Sequence, residues 1–182
     1  IGYVLPGAED GWIAIQPEAD FGGQLQLRTA THSAGALKAG DFLAVRLDWQ
    51  ALAQPAANHS AFIQLLDADG RVVAQRDLPL QSDGAPSSAW QPGQQASTRA
   101  AMAVPAGSAP GPHRLIAGLY DPQSGARLPA AGGDFVELGA VEIERSGQPA
   151  ALDLTPLRFR PEHDFGEVAL AGFDRFERGH EQ

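Results

Sequence analysis

Apolar and polar side chains alternate regularly in the segment that begins at Asp41. Leu43, Val45 and Leu47 occupy every second position, and Trp49 continues the series. A period of two residues is typical of a half-buried β-strand, because successive side chains of a strand point to opposite faces. The pattern therefore predicts a strand that forms the wall of a sheet.

A β-hairpin is predicted immediately after this strand. Two apolar runs, residues 61–66 and 71–77, flank the pair Asp69-Gly70. An Asp-Gly pair between two such runs is the strongest short-range hairpin signal. If this pair forms a two-residue loop, three cross-strand pairs follow: Leu66 with Val73, Gln64 with Gln75, and Phe62 with Asp77.

Further strands are predicted on both sides of the hairpin. They are the segment DFGGQLQLRTAT from Asp20 and residues 95–104, 114–120 and 135–144. The last of these changes phase at Gly139, which suggests a β-bulge. Residues 78–93 are rich in proline and glycine and predict a long loop around Trp90. Residues 121–125 are expected to close another hairpin, in which Gly125 can take a positive φ.

The composition agrees with an all-β protein. The chain has 182 residues, enough to bury a core, and its 21 glycines and 14 prolines suit short strands joined by turns. Together with the alternation, this predicts an antiparallel β-sandwich of about eight strands over residues 18–146, either immunoglobulin-like or jelly-roll in topology. Residues 1–17 are expected to form a lead-in arm that adds an edge strand.

Charge and missing residue types narrow the function. The net charge of −9 argues against binding to nucleic acid or to an anionic membrane surface, since both require a basic patch. The absence of cysteine excludes disulfides, thiolate metal sites and a cysteine nucleophile. The five histidines lack metal-ligand spacing, so neither a metal site nor a cofactor is expected. Because the first residue is Ile1, we expect a processed fragment whose targeting elements lie upstream.

The tail, residues 147–182, begins with a linker and then repeats an earlier motif. Residues 161–166 read PEHDFG and residues 17–22 read PEADFG. Three interpretations are open. A second, truncated module of the same kind begins near Pro161; or residues 161–173 supply an edge strand to their own or a neighbour's sheet by strand exchange; or the match is a coincidence in a chain rich in Pro, Gly and Asp.

An ordered set of longer motifs carries a family resemblance. The motifs are LDWQAL from Leu47, FIQLLDADGRVVAQRD from Phe62, SSAWQPGQ from Ser87, and PGPHRLIAGLYDPQSGARLP from Pro110. Together, over about residues 21–143, they resemble the extracytoplasmic C-terminal β-sandwich domain of bacterial polytopic glycosyltransferases of the dolichyl-phosphate-mannose mannosyltransferase-like superfamily. The sequence departs from that pattern at His113, where Tyr is expected, and at residues 97–101, where a more aromatic strand is usual.

The resemblance implies a place and a role. It implies an accessory β-sandwich outside the membrane, periplasmic or extracellular, tethered to the membrane-embedded remainder of its parent protein. The transferase part is then absent from this chain, and the domain itself is not expected to be an enzyme.

Six residues are candidates for ligand binding: Gln64, Gln75, Asp77, Trp90, Tyr120 and Arg127. The predicted hairpin register brings the two glutamines and the aspartate to one sheet face. Amides beside a carboxylate suit sugar hydroxyls, because each hydroxyl both donates and accepts hydrogen bonds. The two aromatic residues adjoin loops or strand ends, where a ring offers a flat platform for a pyranose.

Each candidate also has a simpler structural interpretation. The polar cluster is equally a solvated sheet face, and a loop aromatic such as Trp90 equally pins its loop to the sandwich. Arg127 is expected to form a bracing ion pair with Asp121, a surface contact of little energetic value. Trp49, in phase with the apolar series, is expected to fill the core.

Three functional hypotheses follow. The first is a non-catalytic, carbohydrate-binding accessory module of a cell-envelope glycosyltransferase-type membrane protein. The second is a small secreted β-sandwich polysaccharide hydrolase, which needs two carboxylates facing each other across a cleft. The third is a structural unit of a tandem β-sandwich array. No G-x-S-x-G motif or other nucleophile motif is present.

Overall fold

The computed structural model describes residues 11–33, 35–130 and 132–145, together with the backbone of residues 163–164 and 169–170. The chain divides into two compact units, Ile1–Ser146 and Gly147–Gln182. Across the described part, regular structure consists of β-strands, apart from one turn of 3-10 helix at Ser87–Ala89. The predicted all-β class is confirmed.

The first unit contains twelve described strands. They are β1 (Trp12–Ile15), β2 (Ala19–Phe21), β3 (Leu25–Ser33), β4 (Leu37–Lys38), β5 (Phe42–Ala51), β6 (Ser60–Leu66), β7 (Val72–Pro79), β8 (Gln81–Ser82), β9 (Ala85–Pro86), β10 (Gln95–Ala103), β11 (Gly111–Tyr120) and β12 (Val136–Glu144). The predicted number of about eight was too low. The strands β2, β4, β8 and β9 are only two or three residues long, too short to show an alternation in the sequence.

Two five-stranded sheets form the sandwich. Sheet A has the order β1-β3-β5-β10, with β2 also paired to β3, and sheet B has the order β4-β12-β11-β6-β7. Within these sheets the described pairs are antiparallel, except for the parallel pair of β4 and β12. The chain crosses from β5 to β6, returns to sheet A at β10, and crosses again to β11. The orders β3-β5-β10 and β12-β11-β6-β7 correspond to strands A-B-E and G-F-C-C′ of the immunoglobulin fold, one of the two predicted topologies.

The core lies between the inner faces of the two sheets. Leu43, Val45, Leu47 and Trp49 of β5 are buried, as their alternation predicts. The Trp49 ring meets Phe21 edge-on at a centroid distance of 5.7 Å. Each such side chain contributes about 1.5–3 kcal/mol when it is removed from water, so this strand is a main source of stability.

The β6–β7 hairpin keeps the predicted register except next to its loop. Gln64 pairs with Gln75 and Phe62 with Asp77, as predicted, but Leu66 faces Val72 instead of Val73. The prediction of a two-residue loop was therefore wrong.

The physical reason is an aspartate before the loop. Asp67 Oδ1 accepts hydrogen bonds from the backbone N–H groups of Asp69 and Arg71. The backbone N–H of Asp67 in turn bonds to the carbonyl of Arg71, which leaves three loop residues with Gly70 last, at φ 79°. Such a three-residue loop ending in a left-handed glycine is a common hairpin type. The register shift beyond it absorbs the extra residue.

Two other local predictions have different outcomes. The bulge expected at Gly139 is confirmed, since the β11–β12 register shifts there and Gly139 has φ 114°. The long loop predicted for residues 78–93 is instead partly ordered. It contains the β8–β9 hairpin, whose turn residues Asp83 and Gly84 both have positive φ, followed by the 3-10 turn.

The N-terminal strand β1 pairs with β3 at the edge of sheet A. In the second unit, β13 (His163–Asp164) and β14 (Ala169–Leu170) form an antiparallel pair. The equivalent motif of the first unit also begins a hairpin, between β2 and β3. The rest of residues 161–173 lies outside the described residues, so the three interpretations of the tail stay predictions. No helix in the described part has the length and apolar character that a membrane span requires.

Candidate functional site

Four of the six predicted residues meet on the outer face of sheet B. Gln64 Nε2 donates to Gln75 Oε1 at 2.7 Å, and Gln75 Nε2 donates to Asp77 Oδ1 at 2.8 Å. Tyr120 Oη donates to Asp77 Oδ2 at 3.1 Å. We call these four residues the polar network. It runs across three adjacent strands: β11, β6 and β7.

Strand alternation and register build this network. In β6, Ile63 and Leu65 point into the core, so Phe62 and Gln64 point outward. Cross-strand pairing then sets Gln75 of β7 beside Gln64. The positions of Gln64, Gln75 and Asp77 therefore follow directly from the predicted hairpin register, whereas Tyr120 joins the network from β11.

The electrostatics keep Tyr120 a donor. Desolvation raises the pKa of its hydroxyl, and both the charge of Asp77 and the hydrogen bond to it raise that pKa further. A tyrosine hydroxyl is already protonated at neutral pH, and this upward shift of the pKa favours the protonated form that donates to Asp77. Gln75 and Asp77 are exposed, whereas Gln64 is 7% exposed and anchors the network from below.

Arg127 lies on the same face, but in a different contact from the predicted one. Its Nη1 forms an ion pair with Asp134 Oδ2 at 3.0 Å, and its guanidinium carbon lies 4.3 Å from the centroid of the Phe62 ring. The expected ion pair with Asp121 was wrong. The Asp121 carboxylate instead accepts hydrogen bonds from Gln123 N and Ser124 Oγ, which close its own turn.

Sequence reasoning missed the part of this face formed by Phe62 and Gly118. The two residues are paired across β6 and β11. A Cβ at Gly118 would overlap the Cζ and Cε1 atoms of Phe62 and would lie 2.8 Å from the carbonyl oxygen of Asp134. A glycine inside a strand often marks such a close approach, so the position of Gly118 was the available signal.

Trp90 does not belong to this face. The residue is 0% exposed, it lies in the core cluster, and its Nε1 donates to the carbonyl of Ala85 at 3.3 Å. Its ring therefore cannot serve as the exposed platform considered from the sequence. It anchors the segment around the 3-10 turn, which was the alternative interpretation.

A polar cleft of about 660 Å³ lies on the outer face of sheet A. Its lining includes Arg46 and Asp48 of β5, Ser97 of β10 and Asp83 of the β8–β9 turn. Asp48 Oδ1 accepts hydrogen bonds from Arg46 Nε at 2.9 Å and from Ser97 Oγ at 2.5 Å. We call this the sheet A cleft. Sequence reasoning did not find it, because its residues come from four separate parts of the chain, residues 28–29, 46–49, 81–83 and 95–97.

Neither surface resembles a metal centre. No group of three or more His, Asp or Glu side chains in the described residues is arranged to hold a metal ion. What both surfaces offer is fixed hydrogen-bonding groups on an exposed sheet face.

The sequence matches no protein-family model, and no curated protein matches it significantly. Similar solved structures include a β-glucuronidase from glycoside hydrolase family 2 (TM-score 0.42, 12% identity, 73% of this chain and 11% of that one). They also include the C-terminal domain of Wzt (TM-score 0.40, 12% identity, 78% and 83%). A third is a β-glucosidase from Listeria innocua in complex with glucose (TM-score 0.37, 15% identity, 64% and 16%). All three sequence identities are below 25%, and all three TM-scores are below 0.5.

Proposed function

We propose that this chain is a non-catalytic β-sandwich module that binds a glycan on the outer face of sheet B. The observation that carries the proposal is the polar network of Gln64, Gln75, Asp77 and Tyr120, held together by three successive side-chain hydrogen bonds.

The network supports binding because its side chains are held in place but still have unused hydrogen-bond donors and acceptors. Each internal hydrogen bond restricts the rotamers of its partners, which lowers the entropic cost of binding a ligand. Gln75 uses one of its two amide N–H groups and one of two carbonyl lone pairs in the network. Each carboxylate oxygen of Asp77 also retains a free lone pair. The remaining donors and acceptors match sugar hydroxyls, which both donate and accept.

Flat surfaces beside the network add an apolar component. The Tyr120 ring is half-buried, and the guanidinium carbon of Arg127 lies 4.3 Å from the centroid of the Phe62 ring. The C–H face of a sugar ring packs well on such flat groups. Since the face is open, an oligosaccharide would lie along the strands instead of entering a deep pocket.

A binding assay with matched variants tests this proposal. Calorimetric titrations would use neutral hexasaccharides of mannose, glucose and galactose as probes. Gln75→Ala and Tyr120→Phe should each weaken the binding of the best probe by about tenfold, because each removes a hydrogen-bonding group from the network. Gln26→Ala is the control, since Gln26 lies on β3 of sheet A, outside both surfaces. Equal loss in the control, or binding by none of the probes, would refute the proposal.

One observation favours the hydrolase as a second candidate. Asp48 and Asp83 both line the sheet A cleft, so two carboxylates share a concave surface. Hydrolysis requires both groups, one as acid and one as base or nucleophile. Incubation with dye-labelled polysaccharides would detect it. Release of reducing ends by the wild type, abolished in Asp48→Asn and in Asp83→Asn, would favour the enzyme over the binding module.

The sequence resemblance adds a context to the proposal. It suggests that the module belongs to a cell-envelope glycosyltransferase-type membrane protein and lies outside the membrane. The sequence of the complete open reading frame would test whether the module belongs to such a membrane protein. Hydrophobic spans upstream of Ile1 are expected, and a frame without them would contradict it.

A further inference from the structure

We infer that the sheet A cleft is a second, separate binding site that accepts an acidic saccharide, meaning one with a carboxylate on a sugar ring. The cleft lies on the opposite sheet from the polar network, so this inference stands independently of the proposed function. Its volume of about 660 Å³ is within the range of roughly 300–1,000 Å³ typical of ligand pockets.

The key residue is Arg28, which a β-bulge places over the cleft. The β3–β5 register shifts between Leu27 and Thr29, which leaves Arg28 as the extra residue of its strand. Bulges of this kind redirect a side chain. The exposed Arg28 guanidinium consequently lines the cleft beside Thr29. In the sequence, the apolar series Leu25 and Leu27 resumes at Ala30, a change of phase that signals the bulge.

Arg28 is oriented without being neutralised. Its Nη1 donates to Gln50 Oε1 at 2.6 Å, so a neutral amide holds the side chain. In the described part of the chain no carboxylate lies within ion-pairing distance of it. An arginine has five N–H donors in a planar fork, and this fork matches a carboxylate with two parallel hydrogen bonds. The remaining donors of Arg28 are therefore available to an acidic ligand.

The other cleft residues suit the hydroxyls of the same ligand. Arg46 is occupied by Asp48, at 2.9 Å, so its charge is compensated. Asp48, which has one carboxylate oxygen free, lies between Ser97 and Thr29 in the cross-strand register, and all three residues line the cleft. A sugar ring that carries one carboxylate and several hydroxyls would thus meet Arg28 with its carboxylate and these neighbouring side chains with its hydroxyls.

The local charge differs from that of the whole protein. The two arginines and two aspartates that line the cleft sum to zero, whereas the chain carries −9. An anion in the cleft therefore meets less electrostatic repulsion than the net charge of the whole protein would produce. Because an uncompensated arginine decides the selectivity, affinity for the acidic ligand should fall as salt is added.

Titrations monitored by amide chemical shifts test this inference. The probes are galacturonate and glucuronate trisaccharides, with the galactose and glucose trisaccharides of the same linkage as neutral controls. An acidic probe should shift the cleft amides of β3, β5 and β10 and bind about tenfold more tightly than its neutral counterpart. Arg28→Gln should remove that difference, and Arg28→Lys should retain part of it, because lysine keeps the charge but not the fork.

Arg99→Gln is the matched control. Arg99 pairs with Arg46 across β10 and β5 but does not line the cleft, and its replacement changes the net charge equally. The affinity of the Arg99→Gln variant for the acidic probe should equal that of the wild type. Equal binding of acidic and neutral probes, equal loss in Arg99→Gln, or no shift of the cleft amides with either acidic probe would overturn the inference. If Gln75→Ala no longer bound the neutral hexasaccharides but its cleft amides still shifted with an acidic trisaccharide, the two sites would be shown to be separate.

Discussion

The ring of Phe62 occupies the space that a side chain at Gly118 would need. The two residues are cross-strand neighbours on β6 and β11, on the outer face of sheet B. A methyl group at position 118 would overlap ring atoms and also press on the backbone of Asp134. Glycine at position 118 leaves room for the ring, whose centroid lies 4.3 Å from the guanidinium carbon of Arg127.

Gly118→Ala should therefore destabilise the protein. Overpacking of a rigid site costs about 1–3 kcal/mol, and urea unfolding would measure the loss. Combining Gly118→Ala with Phe62→Leu should cost less than the sum of the two single changes, because the smaller side chain relieves the overlap.

Gly133→Ala provides the control for this prediction. A Cβ at Gly133 meets no atom within 4 Å, and its φ is not positive. Its replacement should leave stability within about 0.5 kcal/mol of the wild type. If the two alanine variants lost equal stability, the close approach of Phe62 to Gly118 would not be the cause.

A buried histidine should make stability fall in mild acid. His59 is 5% exposed, and desolvation lowers its pKa from the usual 6.5, although the nearby Asp121 charge opposes the change. Because the folded-state pKa is below the unfolded value, the unfolded chain binds the proton first. The stabilising contribution is complete above pH 6.5 and is lost as the pH falls through and below that value.

Urea midpoints measured from about pH 7 to about pH 5 would show this effect. The free energy of unfolding should decrease by at most about 1.4 kcal/mol per pH unit for this single group. His59→Gln should flatten the dependence, whatever its own effect on stability. An unchanged slope in the variant would assign the acid sensitivity to other groups. The pKa of Asp121 is lowered from 3.8 by its hydrogen bonds to Gln123 and Ser124, so its contribution is lost only at more acidic pH.

Trp90 should matter for stability and not for ligand binding. Trp90→Ala is expected to cost about 3–5 kcal/mol, as for other fully buried aromatic side chains. Trp90→Phe keeps most of the apolar volume and loses the hydrogen bond to Ala85, so its cost should be about 1–2 kcal/mol. Glycan affinity of the Phe variant should equal that of the wild type. Selective loss of affinity in a stable Trp90→Phe protein would contradict the anchoring role.

The residues that alternation alone positions were predictable from the sequence. Burial of Trp49 and the pairing of Gln64 with Gln75 follow from a two-residue period and a turn signal, which are local properties. The same local reasoning failed for Leu66. Its partner depends on hydrogen bonds that Asp67 makes to the loop backbone, and a two-residue loop and a three-residue loop both fit the sequence.

Contacts between distant segments were beyond sequence reasoning. Arg127 had two acidic residues within reach along the chain, and only the path of the segment after Leu128 decides that Asp134 is its partner. The sheet A cleft depends on strands β3, β5 and β10 coming together in one sheet. Burial of Trp90 likewise depends on how its loop folds back onto the sandwich, which periodicity does not encode.

We propose that a glycan binds to the outer face of sheet B through the polar network. Amide chemical-shift mapping with the tightest-binding neutral hexasaccharide would locate the bound glycan without any mutation. We expect the largest shifts around Gln64, Gln75, Asp77 and Tyr120 in β6, β7 and β11. If a saturating concentration of the hexasaccharide shifted only amides of sheet A, or shifted none, glycan binding to the outer face of sheet B would be contradicted.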